Sequence, residues 1–265
     1  MQKGIIKMVS TSLLLLLTAH LLGDFYFQPK IMVDKKNNHS IPFHLFHALI
    51  YGSFIYVGSI FFGEWWIALV VALSIALLHF GVDFIKGIVM NKTKHTTIRL
   101  TVFTLDQILH IATLIVASIF LKEFNNYGTW AFIEKYPGLK FPFSYNIMLV
   151  NVFSILFLFQ PANILNKHIL SEIFDKKQKQ LNKTNNEAKA GMIIGILERL
   201  TMYAFCSFLS WYAIIPVVLT AKTFARFKRF SNEKNGDLFT EKYIVGTLLS
   251  TLYVGVCLVL GVLVA

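Results

Sequence analysis

Eight apolar runs separated by short polar loops divide the chain: Met8–Phe27, Phe43–Phe62, Trp65–Gly87, Leu100–Leu121, Phe143–Ile164, Gly191–Ser210, Trp211–Phe224 and Tyr243–Val264. A helix crosses the hydrocarbon core with about 20 apolar residues, and it satisfies its own backbone where no water can. The runs therefore predict an all-α fold, a polytopic transmembrane bundle of about seven to eight spanning helices. The seventh run is short and contains Pro216, which fits a re-entrant or half helix. The first passes into His20 and Asp24 without a small-residue cleavage motif and reads as retained helix, not signal peptide.

Charged residues make up 15% of the 265, where a soluble domain carries about a quarter. That deficit excludes a water-soluble enzyme, a disordered chain and a disulfide scaffold. Cys206 and Cys257 fall inside apolar runs and read as buried thiols. The net charge of +11 would point to nucleic acid on a soluble domain. Here the basic residues sit in short loops, so no nucleic acid is implied and the positive-inside rule applies. If all eight runs cross, nineteen Lys and Arg fall on one side and five on the other. The richer side is read as cytoplasmic, although Lys3 and Lys7 pull the other way.

The organisation that follows is a four-helix membrane half over 1–122, an external interfacial loop over 123–142, and a second membrane half over 143–265 with basic cytoplasmic loops. The external loop is aromatic (Phe124, Tyr127, Trp130, Phe132, Tyr136), as expected at a membrane interface. The stretch 165–190 reads as a solvated helix or linker, with a lipid-headgroup patch as the sharper alternative. His39, His95 and His168 are read as solvated loop residues.

Ionisable groups inside apolar helices are expensive and mark working sites. The first run ends on His20 and Asp24, the third carries His79 and Asp83, and the fourth opens on Asp106, Gln107 and His110. The second run holds His44 and His47 near its start. Each His/Asp pair is spaced i,i+4, which puts both side chains on one helix face about one turn apart. Successive crossings reverse direction, so all four sets fall at one depth, on the cytoplasmic side by the loop count. Glu198, Arg199, Lys222, Arg226 and Glu241 are placed on that side too. His20 to His79, Asp24 to Asp83, Phe25 to Phe84 and His47 to Asp106 are all separations of 59 residues, a faint parallel repeat.

Imidazoles and carboxylates together suit one or two divalent ions such as Zn²⁺, Mn²⁺ or Fe²⁺. Three aspartates gathered without cations would repel one another, so a bound metal is the economical solution. The expected ligands are His20, Asp24, His47, His79, Asp83, Asp106 and His110. One of Asp24, Asp83 and Asp106 serves as general base, and Gln28 and Gln107 orient the ligands. Glu198, Arg199, Lys222 and Arg226 form an anion- or substrate-binding set for a headgroup or phosphate. Set against this, a His and an Asp at i,i+4 can simply bond within one helix, and Glu198–Arg199 can be a buried ion pair that fixes packing.

The segments His20-Leu-Leu-Gly-Asp24-Phe25-Tyr-Phe-Gln28, Leu78-His79-Phe-Gly-Val-Asp83-Phe84 and Leu105-Asp106-Gln107-Ile-Leu-His110 resemble those of the membrane proteins grouped as domain of unknown function 3307 (DUF3307). Gly195-Ile-Leu-Glu198-Arg199-Leu200, Ala221-Lys222, Arg226-Phe227 and Glu241-Lys-Tyr243-Ile-Val-Gly246-Thr247 are similar to the longer members. The resemblance implies a multi-pass protein of the bacterial cytoplasmic (inner) membrane and brings no established activity. The leading expectation is a metal-dependent hydrolase or transferase acting on a lipid-linked or phosphorylated substrate at the cytoplasmic leaflet, with membrane lipid as its surroundings. The alternatives are an ion- or proton-coupled transporter or channel, and a non-catalytic membrane partner of a soluble protein.

Overall fold

The computed structural model describes residues 2–37, 40–93, 95–124, 145–178, 185–232 and 236–264. His39, and Tyr127, Trp130, Phe132 and Tyr136 of the expected external loop, lie outside them. Helices α1 (Gln2–Leu21), α2 (Lys30–Asn37), α3 (Ile41–Ser59), α4 (Trp65–Lys92) and α5 (Thr96–Lys122) lead into α6 (Tyr145–Phe159), α7 (Pro161–Gln178), α8 (Asn185–Leu209), α9 (Ile214–Asn232) and α10 (Gly236–Val264). A π-helical turn, Leu22–Tyr26, extends α1. No strand occurs among the described residues.

Among the described residues, six helical stretches are long and apolar enough to cross a membrane: Ile41–Ser59, Trp65–Lys92, Thr96–Lys122, Asn146–Phe174, Gly191–Leu209 and Asp237–Val264. The first and seventh sequence runs appear as shorter apolar helices, Thr11–Tyr26 and Ile214–Ala225. We read the chain as a multi-pass membrane protein. The fifth run reaches past its sequence boundary at Ile164, because α6 and α7 continue through Pro161 as one apolar stretch. Proline is tolerated there as the first residue of α7, where its missing N–H has no intrahelical partner to lose. His168 therefore sits on a helix and not in a loop.

The chain divides into two compact units, Met1–Phe153 with Val264–Ala265, and Ser154–Leu263. In the first, outward positions are greasy: Leu45, Phe46, Leu49 and Val57 on α3, and Leu69, Val70, Leu73 and Leu77 on α4, are all exposed. Inward positions carry His20, His44, His47, His79, Asp83, Asp106 and His110, all buried. That inversion suits a lipid solvent, in which apolar side chains gain nothing by hiding and polar ones must find partners. Small residues let α3 and α4 approach closely; a Cβ at Gly52 would stand 3.0 Å from that of Ala76. Beyond the polar cluster the bundle is filled by Leu16, Ile55, Phe62, Ile67, Val71, Leu114 and Leu121.

In the second unit, Leu158, Ala162, Met202, Tyr203, Val254 and Cys257 form the core. Arg199 is buried among them and donates from Nε to the Leu158 carbonyl at 3.0 Å, from Nη2 to Asn163 Oδ1 at 2.6 Å and from Nη1 to Ser250 Oγ at 3.3 Å. The guanidinium serves a carbonyl at the α6–α7 junction. Glu198 pairs with Lys222 at 2.6 Å, not with Arg199, because neighbours on a helix face different directions. Arg199→Leu is expected to leave the Leu158 and Asn163 oxygens without these donors and to destabilise the protein by about 2–6 kcal/mol, at about 1–3 kcal/mol per orphaned group. Thermal unfolding in detergent reads this, and an unchanged midpoint would contradict it.

Candidate metal centre

Helices α1 to α5 and the π-helical turn of the first unit build the site. The i,i+4 spacing of His20 and Asp24 spans the point where α1 becomes π-helical, and the wider turn re-aims Asp24 relative to a regular α-helix. Gly23 allows that turn to lie against α3, since a Cβ there would meet Tyr51 Cδ2 at 2.8 Å. On α3, His44, His47 and Tyr51 stand at i, i+3 and i+7 and share the inward stripe. On α4, His79, Asp83 and Lys86 do the same at i, i+4 and i+7.

Asp24 is the hub. Its Oδ1 lies 3.2 Å from His47 Nε2 and 3.4 Å from His79 Nε2, and those two nitrogens are 2.9 Å apart. Its Oδ2 lies 3.7 Å from His20 Nδ1 and 4.0 Å from His110 Nε2. A carboxylate oxygen this close to both rings asks each Nε2 for a hydrogen, yet two N–H groups cannot face each other across 2.9 Å. One cation accepting a lone pair from all three atoms resolves the conflict. Ligands about 2.0–2.1 Å from a tetrahedral Zn²⁺ stand about 3.3 Å apart, close to the three separations observed. Asp24, His47 and His79 thus form the group among the described residues that fits a metal ion.

The surroundings fix these rings. Tyr51, fully buried, stacks parallel on His79 with centroids 3.9 Å apart and planes 5° from each other. Its hydroxyl donates to His20 Nδ1 at 3.1 Å, and His20 Nε2 donates to Gln107 Oε1 at 3.3 Å. Both nitrogens of His20 are therefore engaged, which makes it a support for Tyr51 and Gln107 and leaves no lone pair for an ion. His110 stacks edge-on to His79 at 4.4 Å; its Nε2 is buried without a hydrogen-bond partner, 3.9 Å from Asp106 Oδ1.

Asp83 and Asp106 go elsewhere. Lys86 Nζ bridges them, 2.8 Å from Asp83 Oδ1 and 2.9 Å from Asp106 Oδ2. Lys36 of α2 reaches Asp83 Oδ2 at 2.5 Å, and His44 Nδ1 lies 3.2 Å from the same oxygen with its Nε2 3.3 Å from the Lys36 carbonyl. Burial draws the Lys36 ammonium below its ordinary value, against the pull of Asp83. Gln28, its amide turned to suit both partners, donates to the Asp24 carbonyl at 3.0 Å and accepts from Lys36 Nζ. Gln107 donates to Asp106 Oδ2 at 3.0 Å. Lysines thus supply counter-charge that the sequence argument had given to metal alone.

Sequence reasoning passed over Tyr51, Lys36 and Lys86 and left His44 out of the ligand set. Tyr51 and Lys86 carried a signal, their register on the same stripes as His47 and Asp83. Lys36 carried none, since it acts from a short helix 47 residues away from Asp83. The residues 59 apart share an imidazole from α3, His47 for Asp24 and His44 for Asp83, but differ in their other partners: Asp24 meets His79, whereas Asp83 meets Lys36 and Lys86. Glu198, Arg199 and Lys222 form separate contacts in the second unit, and the side chain of Arg226 lies outside the described residues.

Residues 12–135 match the family model described as a protein of unknown function, DUF3307. The DUF3307 match takes in each residue of the cluster from His20 to His110. It ends before the C-terminal stretches that resemble longer members. No curated protein and no solved structure matches the chain.

Proposed function

We propose that the DUF3307-like unit is a metal-dependent hydrolase or transferase of the bacterial inner membrane, working with one divalent ion, Zn²⁺ in preference to Mn²⁺ or Fe²⁺, on a lipid-linked or phosphorylated substrate at the cytoplasmic leaflet. The observation that carries this reading is the convergence of Asp24 Oδ1, His47 Nε2 and His79 Nε2 at tetrahedral-edge separations from three separate elements. Two histidines and a carboxylate with a fourth position open is the donor pattern of catalytic rather than structural zinc. A bound ion would polarise the substrate's oxygen and acidify water.

The chain supplies the rest. His110 Nε2 faces Asp24 from the unligated side and has no hydrogen-bond partner, which suits a group that takes a proton from attacking water. Asp106, one turn earlier on α5, lies against His110 and is itself held by Lys86 and Gln107. A proton- or ion-coupled transporter would need ionisable groups continuing through the bundle; among the described residues the buried polar groups around the Leu16, Ile55, Leu114 and Leu121 layer are hydroxyls such as Ser12, Ser59 and Ser118, which supports the enzyme reading over that one.

The test uses wild-type protein in bilayers of bacterial lipid extract, with release of water-soluble phosphate and of free fatty acid as readouts. Metal-dependent release is expected, and His110→Asn is expected to keep its metal while losing about 10²–10⁴-fold of the rate. Full activity in that variant, or in metal-free wild type, would overturn the proposal.

A further inference from the structure

A small cavity lies against the centre, lined by Tyr51, His79 and His110 on its inner side and by Leu78, Val82 and Leu109 on its outer side. Leu78 and Leu109 are 54% and 49% exposed on the lipid-facing surfaces of α4 and α5. Ile75 and Thr113 complete its lining, so on this side the imidazoles of His79 and His110 and the lipid-exposed Leu78 and Leu109 border the same cavity. The depth is informative too. His79 lies 14 residues from Trp65, so it stands about 21 Å from that end of α4 at about 1.5 Å per residue. With Trp65, an interfacial residue type, taken at one boundary of a core about 30 Å thick, the centre lies about 9 Å inside the opposite boundary, below the headgroups of one leaflet. Lys86, seven residues further along α4, then falls nearer that boundary, where it pairs with Asp83 and Asp106 while Lys36 pairs with Asp83.

We propose that ligands enter the metal centre sideways from the bilayer, between α4 and α5, past Leu78 and Leu109. The substrate is accordingly a lipid that presents its reacting bond at the acyl-carbonyl level of the leaflet, not a soluble phosphate ester. This rests on the metal reading above and names the substrate class for it.

The experiment uses zinc-loaded full-length protein in phosphatidylcholine nanodiscs and follows zinc release to two chelators. Phenanthroline dissolves in hydrocarbon, whereas EDTA carries charges that the bilayer excludes, so phenanthroline is expected to strip zinc at least about tenfold faster. Leu78→Trp with Leu109→Trp should retain zinc, slow phenanthroline by about tenfold by narrowing the entry, and leave the EDTA rate unchanged. Leu78→Ala, which widens the gap, should act in the opposite direction, so a misfolded tryptophan variant does not decide the matter. In cobalt-loaded protein, dodecyl hydroxamate should alter the visible spectrum, and the double tryptophan variant should lose that response. Equal rates for the two chelators, or phenanthroline rates indifferent to both Leu78→Ala and the double variant, would overturn lateral entry while leaving the metal centre intact. Protein that takes up no zinc at all would instead overturn the metal centre, and this inference with it.

Discussion

His79→Ala is expected to purify with less than about a tenth of the metal found in wild type, because removing one of three ligands abolishes the chelate that holds the ion. Asp24→Asn should behave alike, since the amide oxygen carries no charge and Asp24 is the atom source that both imidazoles share. His20→Asn provides the contrast. His20 spends both ring nitrogens on Tyr51 and Gln107, so its loss should loosen those partners yet leave metal in place. Metal analysis of detergent-purified protein, normalised to chain, reads all three variants. Retention of stoichiometric metal by His79→Ala would remove the centre as drawn, whereas loss in His20→Asn would move His20 back among the ligands.

Lys86→Met should be among the most damaging changes outside Asp24, His47 and His79. The ammonium is the shared counter-charge of Asp83 and Asp106, both buried. Replacing it by an apolar chain of similar length leaves Asp106 with only Gln107 and a distant His110, and breaking such a buried pair costs about 3–5 kcal/mol. The expected result is a large drop in thermal midpoint in detergent. Adding Asp106→Asn to Lys86→Met should recover most of the loss, since the uncompensated charge is then gone and the amide keeps the shape. A single variant as stable as wild type would mean that Lys86 only decorates the surface, and failure of the double variant to recover would mean that packing of the lysine stem, not charge, is what matters.

The pairing of Glu198 with Lys222 illustrates why the second half was harder to read. From sequence, Glu198, Arg199, Lys222 and Arg226 read as one anion- or substrate-binding set, because their charges and their shared side of the membrane were all that could be seen. In the fold, Arg199 turns inward to the Leu158 carbonyl at the α6–α7 junction, and Lys222 is held by the carboxylate beside it. Nothing in a linear pattern announces that a carbonyl 41 residues upstream needs a donor.

The membrane-spanning runs, the shared depth of the His/Asp pairs and the inward stripes of α3, α4 and α5 followed from sequence alone. They rest on local physics: the period of a helix, the thickness of hydrocarbon and the expense of placing charge in it. Which carboxylate faces imidazole and which faces lysine did not follow, because each answer needs a group from another helix. A π-helical turn that swings Asp24 toward α3 and α4, and a short helix that carries Lys36 to Asp83, sort three similar aspartates into one set against His47 and His79 and two paired with lysine. Long-range approach of side chains sets that assignment, and a one-dimensional pattern of His and Asp contains no record of it.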